Sequence, residues 1–293
     1  MTSVAILADI HGNPFALEAV LEDIARQSPA EAIVAGDLVG RGPMGSAVVE
    51  RVRGLGWPCI RGNHEDYLLS FCRGDVPAAW LTTDEWAASR WMAAELGAAQ
   101  RAWIDALPFS VASAAAPPLR VVHGTPRSHS EGLGAWTSDV DLDLHLDSIE
   151  EGALICAHTH RPMARERPGG LVVNTGSVGL PFNGDWRAQY ALLHQEGDRW
   201  RPEFRQVEYD REAFLRAYET TGFEREGRIT ARLLRFEVET ARPHLVPFLT
   251  WCRITSRPPE PDQLDAFFSV YDPSQSMMAF VTQIKATVAP SGD

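Results

Sequence analysis

Five short apolar runs, each followed within a few residues by side chains able to bind a metal, constrain this chain more than any other feature. Val4 to Ala8 leads to Asp9-Ile10-His11, Ala32 to Ala35 to Asp37, and Pro58 to Ile60 to Gly62-Asn63-His64-Glu65. Leu119 to Val122 leads to His123, and Ala153 to Ala157 to His158-Thr159-His160. A short apolar run bounded by turn residues reads as a buried strand. A parallel or mixed sheet delivers the carboxyl ends of its strands to one edge, where loops converge on a crevice. Residues scattered in sequence thereby become neighbours. Asp9 and His11, like His158 and His160, are two apart. A strand's period of two would point both members of each pair the same way. The set offers two Asp, one Asn and four His, a mixed oxygen and nitrogen shell suited to Mn, Fe, Zn, Co or Ni. The absence of Cys from it argues against a structural zinc site.

Between these runs the pattern turns helical. Pro14 to Gln27 starts with Pro and carries the stripe Leu17, Val20, Leu21 and Ile24, and Ser46 to Leu55 follows a loop over Gly36 to Gly45. Strands alternating with helices predict an α/β layered fold. Residues 67–107 read as a helical cap beside the crevice, with Trp80, Trp86, Trp91 and Trp103 as core rather than a substrate platform. Strands resume at Leu119 to Val122, Ala153 to Ala157, Leu171 to Val173, Tyr190 to Leu193 and about Phe204 to Val207, which predicts a second sheet opposing the first. Ala112 to Pro118 reads as a linker loop, and Arg211 to Thr220 as a helix. Beyond it, Thr230 to Asp293 reads as a β-rich Leu233 to Val238, a Pro-rich Arg257 to Asp262, and helices at Gln263 to Tyr271 and Met278 to Ala286. Packing on the main body is the expectation for this extension. The alternatives are a flexible appendage or a homo-oligomer contact through Phe267, Phe268 and Phe280.

Lys plus Arg number 27 against 39 Asp plus Glu, a net charge of −12, so no basic footprint recommends duplex nucleic acid or an anionic membrane as partner. A small phosphorylated substrate stays compatible, because metal ions and one Arg offset phosphate charge locally. Cys59, Cys72, Cys156 and Cys252 lack close spacing and read as reduced thiols. A strand starting at Val4 leaves no room for a signal peptide, and no apolar run reaches membrane-spanning length. The expected location is the cytoplasm.

Taken in order, Asp9-x-His11, Gly36-Asp37-x-x-x-Arg41-Gly42, Gly62-Asn63-His64-Glu65, Val122-His123-Gly124 and Ala157-His158-x-His160 resemble the five blocks of the calcineurin-like metallophosphoesterase superfamily. Asp9-Ile10-His11-Gly12-Asn13, Gly40-Arg41-Gly42-Pro43 and the stretch Asn174 to Pro181 resemble a bacterial branch of small phosphodiesterase-like members. The resemblance covers residues 1–222 and leaves 223–293 as an extension of unassigned role. It implies a four-layer α/β/β/α sandwich of two mixed sheets and a pair of divalent metal ions, manganese first, with Fe, Zn, Ni or Co as alternatives. Asp9, His11, Asp37 and His160 would hold one ion, and Asp37, Asn63, His123 and His158 the other, with Asp37 bridging. A metal-bridging hydroxide would attack phosphorus, His64 would stabilise or protonate the leaving alkoxide, and Arg41 would pair with phosphate oxygens. A phosphodiesterase of small or nucleotide-like substrates is the activity implied. A phosphomonoesterase or dinucleoside polyphosphate hydrolase is the alternative, and a non-catalytic scaffold on the same fold is a further one.

Two departures stand out. Ala157 replaces the Gly common before the last His pair, a small change. Gly40 stands where the phosphoprotein phosphatase branch carries an Asp that orients the catalytic His, which speaks against that activity and leaves Glu65 or Asp66 to orient His64. Asp143-Leu144-His145 repeats the first motif without a preceding apolar strand and serves as an internal control. Asn174 to Gly179 suits a tight turn, with Gly176 and Gly179 free to take positive φ.

Overall fold

The computed structural model describes residues 2–288. The chain opens with β1 (Ser3–Leu7), α1 (Pro14–Gln27), β2 (Glu31–Val34) and α2 (Gly45–Leu55). Helices α3 (Asn63–Arg73), α4 (Ala87–Glu95) and α5 (Ala98–Asp105) form the cap region. Next come β3 (Ser110–Ala112), β4 (Arg120–Val122), α6 (Asp139–Leu146), β5 (Ala153–Cys156), β6 (Met163–Arg167) and β7 (Gly170–Asn174). The hairpin β8 (Ala188–Glu196) and β9 (Arg199–Val207) precedes α7 (Arg211–Thr220) and α8 (Phe223–Glu226). Helices α9 (Arg228–Thr240), α10 (Leu245–Thr255), α11 (Leu264–Phe268) and α12 (Met277–Val288) complete the described chain.

Strand alternation builds the layers. On β1, Val4 and Ile6 face the interior between the sheets, while Ala5 and Leu7 face α1 and α2. On β5, Ile155 lies between the sheets and Leu154 and Cys156 pack against Leu142 and Leu146 of α6. Each sheet is therefore apolar on both faces and covered by helices outside, giving the four-layer α/β/β/α sandwich. A fully buried Ile or Leu in such a layer contributes about 1.5–3 kcal/mol. Sheet order is β2-β1-β8-β9 in one sheet and β3-β4-β5-β7-β6 in the other. Strands β1 and β2 run parallel, as do β4, β5 and β7, so each sheet sends several carboxyl ends toward one edge.

Three local expectations are corrected. The second half does not form one opposing sheet: β8 pairs antiparallel with β1, so β8 and β9 close the first sheet, their inward residues Ala191 and Leu193 alternating with Tyr190 and Leu192 toward the helices. Pro58 to Ile60 is not a full strand but a single parallel bridge, Cys59 to Val34. The stretch Leu233 to Val238 is helical, part of α9, because its buried residues Ile229, Thr230, Leu233, Leu234, Glu237 and Val238 recur at helical spacing.

The extension packs its own core. Phe248, Phe267 and Phe280 are fully buried among α9–α12, so Phe267 and Phe280 are spent internally; only Phe268, 39% exposed, faces outward. The last five residues of the extension, 289–293, lie outside the described residues. Among the described residues no helix is long and apolar enough to cross a membrane. All four cysteines are free thiols.

Candidate metal centre

The loops after β1, β2, β4 and β5, together with the start of α3, bring Asp9, His11, Asp37, Asn63, His64, His123, His158 and His160 into one buried cluster. The expected strand geometry for the paired residues does not hold. Asp9, His11, His158 and His160 lie just past their strands with φ of 54°, 50°, 65° and 58°, and Asp37 joins them at 52°. The pairs converge because alternate residues occupy the left-handed region, where Asp and His are enriched among non-glycine residues.

Backbone hydrogen bonds hold this geometry in place. Ile10 and His11 both donate to the Asp37 carbonyl, at 2.8 and 3.0 Å, and Asp9 donates to the Gly36 carbonyl at 3.0 Å. The stretch after β7 is more than a turn. Val178 and Gly179 donate to the Ala8 and Asp9 carbonyls, and the Ser177 hydroxyl donates to the Asp9 carbonyl at 2.8 Å. Asn174 donates to the carbonyls of Ala157 and Leu133. The segment thus clamps the first ligand loop to the last. A Cβ at Gly179 would fall 1.9 Å from the Ile10 carbonyl oxygen. Gly179→Ala is expected to cost about 3 kcal/mol through this backbone clash, read as a lower midpoint in thermal unfolding; an unchanged midpoint would refute the clamp.

Within the cluster the donors face one another. His11, His123 and His160 each donate Nδ1–H to a backbone carbonyl, of Val39, Ala35 and Leu180 at 3.1, 2.9 and 2.5 Å. Their Nε2 atoms are thereby aimed inward, as in metal-binding histidines whose second nitrogen is anchored. His11 Nε2 and His160 Nε2 lie 3.1 Å apart. Two lone pairs at that separation repel, whereas one cation with metal–nitrogen bonds of about 2.0–2.1 Å would join them. Asp9 Oδ1 and Asp37 Oδ2 are buried without a hydrogen-bond partner. Asp9 Oδ1 is 3.5 Å from His160 Nε2, and Asp37 Oδ2 is 3.3 Å from His123 Nε2. Asn63 Oδ1 sits 3.0 Å from His123 Nε2 and 2.8 Å from His158 Nδ1. Orphaned buried oxygens among inward-facing imidazoles fit cations well and fit little else.

The electrostatics agree. Burial lowers His11 and His160 well below the ordinary histidine value and brings His158 to about 4, so these rings are neutral donors. Burial works against a charged His123 too, but the carboxylates of Asp37 and Asp9 hold it up at about 10. Burial pushes Asp9 up, His123 opposes that, and the neighbouring Asp37 adds to it. Bound cations would relieve this crowding of carboxylates.

His64 lies at the rim, its ring edge-on to His11 with centroids 4.8 Å apart. Burial lowers it to about 4. Neither Glu65 nor Asp66 orients it, contrary to expectation. The Glu65 carboxylate accepts from the backbone N–H groups of Asp37, Leu38, Val39 and Gly62 at 2.7–3.2 Å, tying the Asp37 loop to the start of α3. Asp66 is taken by His129 and Arg61. Arg41 Nε donates to His64 Nε2 at 3.3 Å, and Gly40 is obligatory beside it, because a Cβ there would fall 2.2 Å from His64 Nδ1. Arg41 in turn pairs at 2.8 Å with Glu237 of α9, a fully buried acid.

Sequence reasoning gave Glu65 the wrong partner and missed Glu237 as part of the site. A Glu three residues past the N-cap Gly62, whose N–H it accepts at 2.7 Å, is the acidic half of a capping box and could have flagged the first. An acid inside the apolar stripe of α9 was the only trace of the second. The control motif behaves as a control: Asp143 of α6 pairs with Arg167 of β6, and neither Asp143 nor His145 joins the cluster.

A family model for the calcineurin-like phosphoesterase superfamily domain matches residues 2–198. The crystal structure of a metallophosphoesterase from Sphaerobacter thermophilus is similar, with 26% identity and a TM-score of 0.66 over 82% of this chain and 99% of that one. The crystal structure of a hypothetical protein from Pyrococcus horikoshii shares the fold, with 22% identity and a TM-score of 0.68 over 80% of this chain and 98% of that one. An uncharacterized protein of Methanocaldococcus jannaschii is 26% identical over 233 residues, which is 74% of this chain and 90% of that protein.

Proposed function

The chain belongs to the calcineurin-like phosphoesterase superfamily, and from that membership we propose that it is a phosphodiesterase using two divalent ions, manganese first among them. Asp9, His11 and His160 form one group of converging donors, and Asp37, His123 and His158 another. Asp37 carries the reading, because its carboxylate also lies within reach of His11 in a third group and so stands between the two. Asn63 Oδ1, which faces both His123 and His158, would complete the ligands of the second ion. The chemistry such a pair of ions supplies is a deprotonated water and neutralisation of phosphoryl charge.

The chain's own residues supply the rest. Asp37 Oδ1 accepts from the His64 backbone N–H at 2.9 Å, so the bridging carboxylate is oriented by the same turn that presents the His64 ring. That ring lines the crevice, where it is neutral on its own and would carry a proton for the departing oxygen only once a phosphate anion beside it raises its proton affinity. The Arg41 guanidinium beside it offers N–H donors to phosphate oxygens. Two cavities share Arg41 as a wall, about 290 and 160 Å³ in volume, which supports an ester with a substituent on either side of phosphorus.

Metal-loaded protein, assayed in parallel on bis-p-nitrophenyl phosphate and p-nitrophenyl phosphate with Mn²⁺, is expected to favour the diester by at least about tenfold in kcat/KM, a difference of ~1.4 kcal/mol. Preference for the monoester would overturn the diesterase assignment. Absence of hydrolysis with every divalent ion tried would leave a binding protein on an enzyme fold.

A further inference from the structure

The larger of the two cavities beside Arg41 has Asn63 and His64 at one end, next to the donor cluster. Tyr67 of α3 and Met92 of α4 wall one side, and Leu234 of α9 and Leu245 at the start of α10 wall the other. The second wall comes from outside the matched family segment, which ends at residue 198.

The cavity's own polar groups are largely satisfied. The Tyr67 hydroxyl is bonded to Ser89 Oγ at 2.8 Å, and the Thr230 hydroxyl donates to the Glu85 carbonyl at 2.6 Å. The Tyr67 ring is held from behind by Phe71 and Trp86, with centroids 5.0 and 5.9 Å away, so it presents a fixed aromatic surface. Among the described lining residues there is no carboxylate, and the one permanent cation, Arg41, is already paired with Glu237. A second anionic group would find no free counter-charge there, and a cationic group would find no partner. Desolvating either would be costly. The volume, about 290 Å³, is near the lower end of small-molecule pockets.

We infer that this cavity receives the leaving substituent of the phosphoester, and that the substituent is an uncharged, ring-sized organic group. The inference rests on the proposed reaction, since it is the position of His64 at the cavity's end that makes this the leaving side. A polyphosphate chain does not suit it. The second cavity, with Arg161 and the exposed Val246 in its lining, is left for the retained side of the ester.

The test uses the full-length chain loaded with Mn²⁺ and two phosphonates, phenylphosphonate and methylphosphonate, with affinities measured by calorimetry. Phenylphosphonate should bind at least about tenfold tighter, the effect of burying one ring. Ser130→Trp, at an exposed lining position, and Leu245→Trp, at a half-buried one, each fill the cavity. Both should erase the phenyl advantage and leave methylphosphonate affinity within about twofold, a change below ~0.5 kcal/mol. Val246→Trp, in the second cavity, should preserve the advantage. Equal affinities in the unaltered protein, or an advantage that survives both filling variants, would overturn the assignment of this cavity while leaving the metal reading intact. If neither phosphonate binds, the metal reading fails and this inference fails with it.

Discussion

Asp37→Asn is expected to lower turnover by at least about 10³-fold, equivalent to ~4 kcal/mol of lost transition-state stabilisation, and to leave the protein with fewer than two bound metal ions. Asn is nearly isosteric with Asp and tolerates the φ of 52° found at this position, so the backbone contributes little to the effect. The Oδ1 bond from the His64 N–H can persist through the amide carbonyl. What changes is the charge at Oδ2, which is buried, lacks a hydrogen-bond partner and lies 3.3 Å from His123 Nε2. With its negative charge gone, neither ion group keeps a shared anion. Without metal the same substitution removes the carboxylate that chiefly holds the buried His123 protonated, and the neighbouring histidines keep that carboxylate well below its ordinary value, so the metal-free variant should also unfold at a lower temperature than the metal-free parent. Elemental analysis and turnover on one preparation decide the matter. Two ions retained with activity within tenfold of the parent would show that Asp37 is not the bridge.

His64→Ala separates proton delivery from metal binding. General acid catalysis contributes about 10²–10⁴-fold, and that loss should appear with alkyl leaving groups, whose alkoxides need a proton to depart. With p-nitrophenyl esters, which leave as stabilised phenolates, the loss should be much smaller. Two bound ions should remain. The His64 ring also falls in a group with His11 and Asp37 that could itself hold a cation, so a ligand role is the rival account. A ligand role predicts equal losses on both ester types and a fall in metal content, and that result would end the division of roles drawn here.

The five blocks were legible because an apolar run and a polar terminus are both local properties of a sequence, although the run Pro58 to Ile60 makes only a single bridge. Helix α1 was readable to its ends from its Pro and its stripe. What stayed hidden depended on distant partners. Nothing in Tyr190 to Leu193 says which sheet it joins, because a strand buried on both faces suits either. The spacing of His158 and His160 suggested a strand's period where the chain instead alternates into left-handed conformations, and a two-residue spacing does not distinguish them. Glu237 was misread with its whole segment as β-rich, so its meeting with Arg41, 196 positions earlier, had no sequence-level trace beyond an acid among apolar neighbours. Glu65 was seen but given the wrong partner, since four backbone N–H groups from two loops satisfy it.

The left-handed residues of the centre also bear on how such a chain can drift. At Asp9, His11, Asp37, His158 and His160 most replacements would cost about 1–2 kcal/mol in the backbone alone, whatever is bound, while Asn, Asp, His and Gly escape much of that. A lineage that stopped turning over substrate would therefore be slow to shed these side chains, which would persist as fossils of conformation. Counting surviving ligands in a sequence overstates catalysis for this architecture. Only metal content and turnover measured together can separate a working centre from an inherited one.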